Sequence, residues 1–210
     1  LWFPAGTYTI NSCLHLGKPS CVSGVQAGLS SVGIICADPA TTTILWGGSC
    51  SGAMIGIFGV NYSEFSRMTV DANNCAAIAV DQDYATGFPN FDTGNQYADI
   101  TFKNATSVGF RCGLTAGCAE TTMLRDQFIN NFVGVFVFNQ NALDLWIWYS
   151  LFQDNTYGVS NQHPTATPSS SFHVFNSVFL NTLKTDISYG SITTGTFRNN
   201  YSIGAGAGGG

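Results

Sequence analysis

Apolar and polar residues alternate in short runs along this chain, and from residue 67 onward the runs themselves recur. The stretch TTMLRDQFINNFVGVFV (121–137) returns as IWYSLFQDNTYGVSN (147–161), so that Phe128, Asn131, Gly134 and Val135 reappear 24 residues later as Phe152, Asn155, Gly158 and Val159. The same row is found at 67–80, 99–112, 125–137, 149–161 and 176–189, and a sixth begins at 198 before dissolving into glycine. Its anchor is an apolar residue three places in: Val70, Phe102, Phe128, Phe152, Phe179 and Tyr201, spaced by 32, 26, 24, 27 and 22 residues. Repeats of this length mark a solenoid, in which each unit buries its apolar face only against its neighbours.

The runs are rich in Phe, Val, Ile, Thr, Tyr and Trp and alternate with period two, as in LDLWIWY (143–149) and SFHVF (171–175). They are too short and too β-branched for helices, so each coil is read as two or three short strands joined by sharp corners. Asn131, Asn155 and Asn181 suit corners because asparagine bonds nearby backbone and tolerates the left-handed conformation. Gly109, Gly134 and Gly158 are expected to supply positive φ. In a parallel stack like positions recur every ~4.8 Å and form ladders.

The opening LWFPAGTYTI resembles the first coil of the pectate-lyase-like right-handed parallel β-helix superfamily, where a strand ending in a phenylalanine–proline–(alanine or glycine)–glycine–x–tyrosine pattern follows a capping helix. FHVFNSVFLN (172–181) and TFRNNYSIGAG (196–206) are similar to its later coils. The resemblance implies an all-β, right-handed parallel β-helix over residues 1–204, with coils of about 22–32 residues and a glycine-rich tail at 205–210. That superfamily includes polysaccharide lyases, glycosidases, phage tailspikes and non-catalytic relatives, so the fold implies a polysaccharide partner without choosing a reaction. The missing capping helix and the glycine tail lead us to expect a piece of a longer chain, with ends open to homo-oligomeric or end-to-end stacking.

Composition narrows the classes. Charged residues make up 9% of the 210, against about 25% in an average chain, and 24 Gly and 16 Phe are present. So few charges argue against long solvated helices. The net charge of −5, with seven Lys and Arg placed singly, leaves no basic stripe for nucleic acid. No apolar run reaches the roughly 18 residues of a membrane span. Seven cysteines lack zinc-site spacing; Cys13 with Cys21 and Cys112 with Cys118 are close enough to staple loops, and the odd count leaves one over. Together with the sequons at Asn61, Asn104 and Asn200, they lead us to expect a secreted or cell-surface protein.

Parity locates candidate chemistry. With Phe128, Phe152 and Phe179 inward, Leu145 and Ile147 also face in, and Asp144, Trp146 and Trp148 face out. One coil earlier the equivalent outward positions are Glu120 and Thr122; one coil later they are Ser171 and His173. Glu120 and Asp144, about one strand spacing apart, suit the carboxylate pair of a retaining glycosidase. Trp146 offers a flat face to a sugar ring, and His173 a general base or acid for a lyase. The bland alternative is a set of solvated acids.

A second ladder, three residues before each anchor, comprises Arg67, Asp99, Arg125, Tyr149, Asn176 and Arg198. Arg125 in it is either a structural partner of Asp99 or a ligand for an acidic sugar, since lyases of the resembled superfamily use a basic residue beside the uronate carboxylate. Two insertions, at 81–96 and 162–171, suit loops shaping a groove. The first offers Asp81, Asp83 and Asp92 to calcium, at a spacing unlike an EF-hand, or forms a solvated wall. No other cofactor is implied. GxSxG, P-loop and HExxH motifs are absent, as is the adjacent aspartate pair of polygalacturonases.

Overall fold

The computed structural model describes residues 1–17, 29–83, 91–114, 117–139, 142–165, 170–190 and 194–204. Three sheets run side by side along a solenoid axis, and every pairing in them is parallel. The first stacks Trp2–Phe3, Gly33–Cys36, Glu64–Ser66, Gln96–Ala98, Thr122–Leu124, Leu145–Trp148, Phe172–Phe175 and Thr196–Arg198. The second runs from Gly6–Ile10 to Tyr201–Ile203, and the third from Leu14–Gly17 to Thr185–Ser188. No helix occurs among the described residues. The protein is an all-β parallel β-solenoid.

One column of the second sheet carries the core: Tyr8, Ile44, Val70, Phe102, Phe128, Phe152 and Phe179 lie in register on successive coils. The rings Phe102–Phe128, Phe128–Phe152 and Phe152–Phe179 stack with centroids 5.0, 4.8 and 4.7 Å apart, at the spacing the strands impose. Toward the first coil the column shrinks to Val70 and Ile44. There an apolar cavity of about 110 Å³ remains, bordered by both residues together with Phe65, Met68, Tyr97 and Phe102.

The repeat as read from sequence slips in the last coil. Phe179 pairs with Ser202, whereas Tyr201 pairs with Val178 and is exposed. The corner residue aligned with Asn176 is therefore Asn199, which has the matching left-handed φ of 56°, and Arg198 leaves the charge ladder to pair with Phe175. Matching on the aromatic letter misled; the asparagine at the corner carries the register.

The glycines need correction too. Gly109, Gly134 and Gly158 do not have positive φ. They are required for close approach: a Cβ on Gly134 would sit 2.7 Å from the Gly158 carbonyl oxygen and 3.0 Å from the Phe152 ring. The third sheet yields this space to the phenylalanine stack opposite it.

Left-handed backbone belongs instead to three rows of corner residues. Arg67, Asp99, Arg125, Tyr149, Asn176 and Asn199 turn the first sheet into the second; Asn104, Asn130, Asp154, Asn181 and Gly204 turn the second into the third; Ser31, Tyr62, Gly94, Glu120 and Asp144 return the chain to the first. Asn181 thus stacks on Asp154 rather than on Asn155, with its Nδ2 donating to Asp154 Oδ1 at 3.1 Å. Asn131 and Asn155 sit one residue later and are buried.

A bend interrupts the inter-strand ladder and leaves an inward N–H without a strand carbonyl, which the interior must satisfy. Side-chain oxygens of the next coil do so. Asn131 Oδ1 accepts from Ala105 N and Asn155 Oδ1 from Asn131 N, both at 2.9 Å. At the other corner Asp126, Ser150, Ser177 and Asn200 accept in turn from Ile100, Asp126, Ser150 and Ser177 amides. Of the sequon asparagines, Asn200 shares this duty and also donates from Nδ2 to Val174 O, whereas Asn104 belongs to the left-handed row and its Nδ2 donates to Asp71 Oδ1.

Cys50–Cys75 ties adjacent coils and Cys112–Cys118 closes a short loop, the latter as the spacing predicts. Cys21 lies outside the described residues. Cys36 is buried and outside any disulfide, its thiol pKa pushed up by desolvation. Among the described residues no helix is long and apolar enough to cross a membrane.

Candidate functional site

The outer face of the first sheet gathers the aromatic and acidic residues singled out by parity. Thr122, Trp146 and His173 are register partners on successive coils, and Leu124, Trp148 and Phe175 form the adjacent outward column. Leu145 and Ile147 between them are fully buried, so the alternation places Asp144, Trp146 and Trp148 outside.

Glu120 and Asp144 occupy the same corner position on adjacent coils, with φ of 49° and 56°, next to the bridge that pairs Ala119 with Leu143. The left-handed turn lifts both carboxylates out of the sheet, and both residues are exposed. Thr93 Oγ1 donates to Glu120 Oε2 at 2.9 Å. His173 Nε2 lies 3.7 Å from Asp144 Oδ1. The His173 ring stacks on Trp146 with centroids 6.2 Å apart, and its side chain is only 13% exposed. Trp148 stacks on Phe175 at 4.2 Å. One face of each tryptophan is therefore covered by the following coil, and the other turns toward the smaller Thr122 or Leu124.

Arg125 does not join this group. It lies five residues from Glu120 along its strand, about 16 Å at ordinary strand rise, on the opposite edge of the sheet. There its Nε and Nη2 grip both Asp99 oxygens at 2.7 and 2.8 Å. The guanidinium holds the Asp99 carboxyl below its ordinary range, mainly by hydrogen bonding, and the pair raises the Arg125 pKa in return. The Asp99–Arg125 pair of the structural reading is thus formed.

The aspartates of the first insertion are not a solvated wall. Asp81, Asp83 and Asp92 are all buried. Asp81 is bound by Arg111 through both oxygens, Asp83 Oδ1 accepts from Gly117 N at 3.0 Å, and Asp92 accepts from Gly59 N and Val60 N at 2.6 and 3.1 Å. Burial outweighs those two donors and pushes the Asp92 pKa up to about 8. These carboxylates are committed to protein donors, Asp81 to a side chain of the next coil and Asp83 and Asp92 to backbone amides; among the described residues no group of three ligating side chains is placed to hold a metal ion. Of the second insertion, residues 166–169 lie outside the described residues, and His163 stacks on Tyr157 of the third sheet, away from the acids.

Three neighbours of the site escaped the sequence reading. Thr93 and Tyr62 fall outside the repeated rows, and Phe175 was passed over although it has the parity of Trp148. The signal available for Tyr62 was its place in the corner row of Glu120 and Asp144.

No family model matches the chain, and no curated protein does. Among solved structures it is similar to the ORF18 protein of Geobacillus virus E2, with a TM-score of 0.58 and 14% identity over 89% of this chain. A more distant likeness, with a TM-score of 0.48 and 14% identity over 96% of this chain, is to the catalytic domain of a GH87 alpha-1,3-glucanase solved with tetrasaccharides. The chain spans 41% and 34% of the lengths of these two proteins. At such identities the viral likeness establishes a shared β-solenoid fold and nothing finer.

Proposed function

We propose that this protein engages an extracellular polysaccharide on the outer face of its first sheet and hydrolyses it there, with Glu120 and Asp144 as the acting carboxylates. The observation that carries the reading is the meeting of two exposed carboxylates on adjacent coils with Trp146 and His173. Adjacent coils set the two backbones about 4.8 Å apart, close to the roughly 5–5.5 Å that separates the carboxyl groups of retaining glycosidases.

The surroundings divide the roles. The Thr93 hydroxyl holds one Glu120 oxygen by a hydrogen bond and so fixes its orientation, which suits a nucleophile attacking the anomeric carbon. Asp144, exposed on the next coil, is the remaining carboxyl group to give a proton to the departing sugar oxygen as the glycosidic bond breaks. Water then opens the glycosyl–Glu120 ester and returns its proton to Asp144. Trp146 supplies the apolar surface against which a pyranose is held. A lyase, as the resemblance to pectate-lyase-like proteins suggests, is weaker. It needs a free cation at the uronate, and Arg125 is occupied by Asp99. The disulfides suit an extracellular setting.

A non-catalytic binding or shaft role is the second reading, favoured by the mutual stacking of Trp146, His173 and Phe175 as surface packing. Incubation with pectin, alginate and neutral glucans, monitored for both reducing ends and unsaturated products, separates the two. Reducing ends that vanish in Glu120→Gln and Asp144→Asn establish hydrolysis. Retained binding without product leaves the second reading; product unaffected by both substitutions removes this site.

A further inference from the structure

Tyr62 stands in the same corner row as Glu120 and Asp144, two and three coils away, with the positions ordered Tyr62, Gly94, Glu120, Asp144. Left-handed φ is the rule at these corners, and Tyr62 takes φ of 50° as Tyr149 takes 53° at the opposite edge of the first sheet; what sets Tyr62 apart is its place in the row of the two acids. Its ring lies over Gly94, where a Cβ would come within 2.6 Å of Tyr62 Cδ1 and 2.8 Å of Cε1. Gly94 itself has φ of 64°. The row thus pairs a residue that leaves room with one that fills it by a flat ring. Yet Tyr62 remains 63% exposed, and its hydroxyl makes no hydrogen bond among the described residues. Much of the ring is therefore open to solvent, over Gly94 and in line with the two acids.

We infer that Tyr62 is the platform of a distal sugar subsite, on the same edge as the carboxylates and in line with them along the solenoid axis. The inference rests on the reading of this face as a polysaccharide site. Three coils at ~4.8 Å each place Tyr62 about 14 Å from the Asp144 position. One coil step is close to the rise of one unit in an extended glycan, so a chain reaching both ends has roughly four units. The ligand class is therefore an extended oligosaccharide rather than a mono- or disaccharide. Tyr62 binds without touching the reacting atoms.

The test uses the whole chain. Affinity electrophoresis through gels carrying polygalacturonate, alginate or a soluble neutral β-glucan identifies the retarding glycan, and its oligomers of two to six units are titrated against tryptophan fluorescence. Tyr62→Asn removes the ring but keeps a residue at ease with left-handed φ; Tyr62→Phe keeps the ring. Tyr62→Asn is expected to weaken hexamer binding about tenfold, the scale of one lost aromatic stack, with disaccharide binding unchanged and Tyr62→Phe near wild type. Trp146→Ala should weaken both lengths. If Tyr62→Asn melts normally and binds hexamer like the wild type while Trp146→Ala does not, the distal subsite is wrong and the polysaccharide reading stands. If Tyr62→Asn weakens disaccharide and hexamer alike, Tyr62 is part of the central site and the inference fails. If no glycan retards the wild type, both readings fall together.

Discussion

Asn155→Ala tests whether the solenoid is held at its corners. Asn155 is fully buried, and its amide makes three bonds: Oδ1 accepts from Asn131 N at 2.9 Å and from Asn131 Nδ2 at 3.2 Å, while Nδ2 donates to Phe128 O at 2.7 Å. Alanine strands the Asn131 amide where water does not reach, at about 1–3 kcal/mol for an unsatisfied group, and removes the side-chain donor to Phe128 O. The vacated amide volume adds a cavity term, so a loss of roughly 3–5 kcal/mol is expected, a large share of a domain's stability. Asn155→Ser should recover part of it, because serine does this duty at Ser150 and Ser177. Gln153→Ala is the control: half-buried, its amide reaches only Asp154, and its loss should stay within about 0.5 kcal/mol. Urea denaturation followed by fluorescence and circular dichroism gives the midpoints and slopes. An Asn155→Ala loss below ~1 kcal/mol, or no larger than that of Gln153→Ala, would refute the idea that these side chains complete the backbone bonding.

Val70→Phe extends the ring stack into the apolar cavity of about 110 Å³ beneath Phe102 and should raise the melting temperature, with a gain of ~1 kcal/mol if the ring enters without strain; a lowered melting point would mean that the space is the wrong shape. Gly134→Ala places a methyl 2.7 Å from the Gly158 oxygen and should cost about 2 kcal/mol or more, read by the same melts. Asp92, with a folded-state pKa near 8 against 3.8 unperturbed, contributes stability that is complete below pH ~4 and lost as pH rises through 8, and buried Asp126 shifts in the same direction. Melting temperature should accordingly fall from pH 5 to pH 8. Asp126→Asn, which retains the oxygen bonded to Ile100 N, should flatten that slope, and an unchanged slope would contradict the assignment.

The coils were legible because their strongest feature is repetitive: Phe102, Phe128, Phe152 and Phe179 must coincide for rings to stack, so spacing alone gives register. Parity from that column also put Glu120, Asp144, Trp146 and His173 on one face. Corner chemistry was not legible, since asparagine serves two duties one residue apart: exposed with left-handed φ at Asn130, buried as a cap at Asn131. Gly134 likewise reads as a turn residue until the facing ring is seen. Asp81, Asp83 and Asp92 looked like a wet loop because buried carboxylates are rare and their donors, Arg111, Gly117, Gly59 and Val60, come from other coils.

The corner row that carries Tyr62, Gly94, Glu120 and Asp144 has an evolutionary consequence. Each coil contacts only the coils beside it, so a whole coil can be duplicated or deleted while every type of core contact is preserved. Doing so between Tyr62 and Glu120 moves these residues apart or together by one strand step and leaves their orientation unchanged. Such a lineage would change the spacing of these surface residues in fixed increments, by recombination of repeats rather than by point substitution.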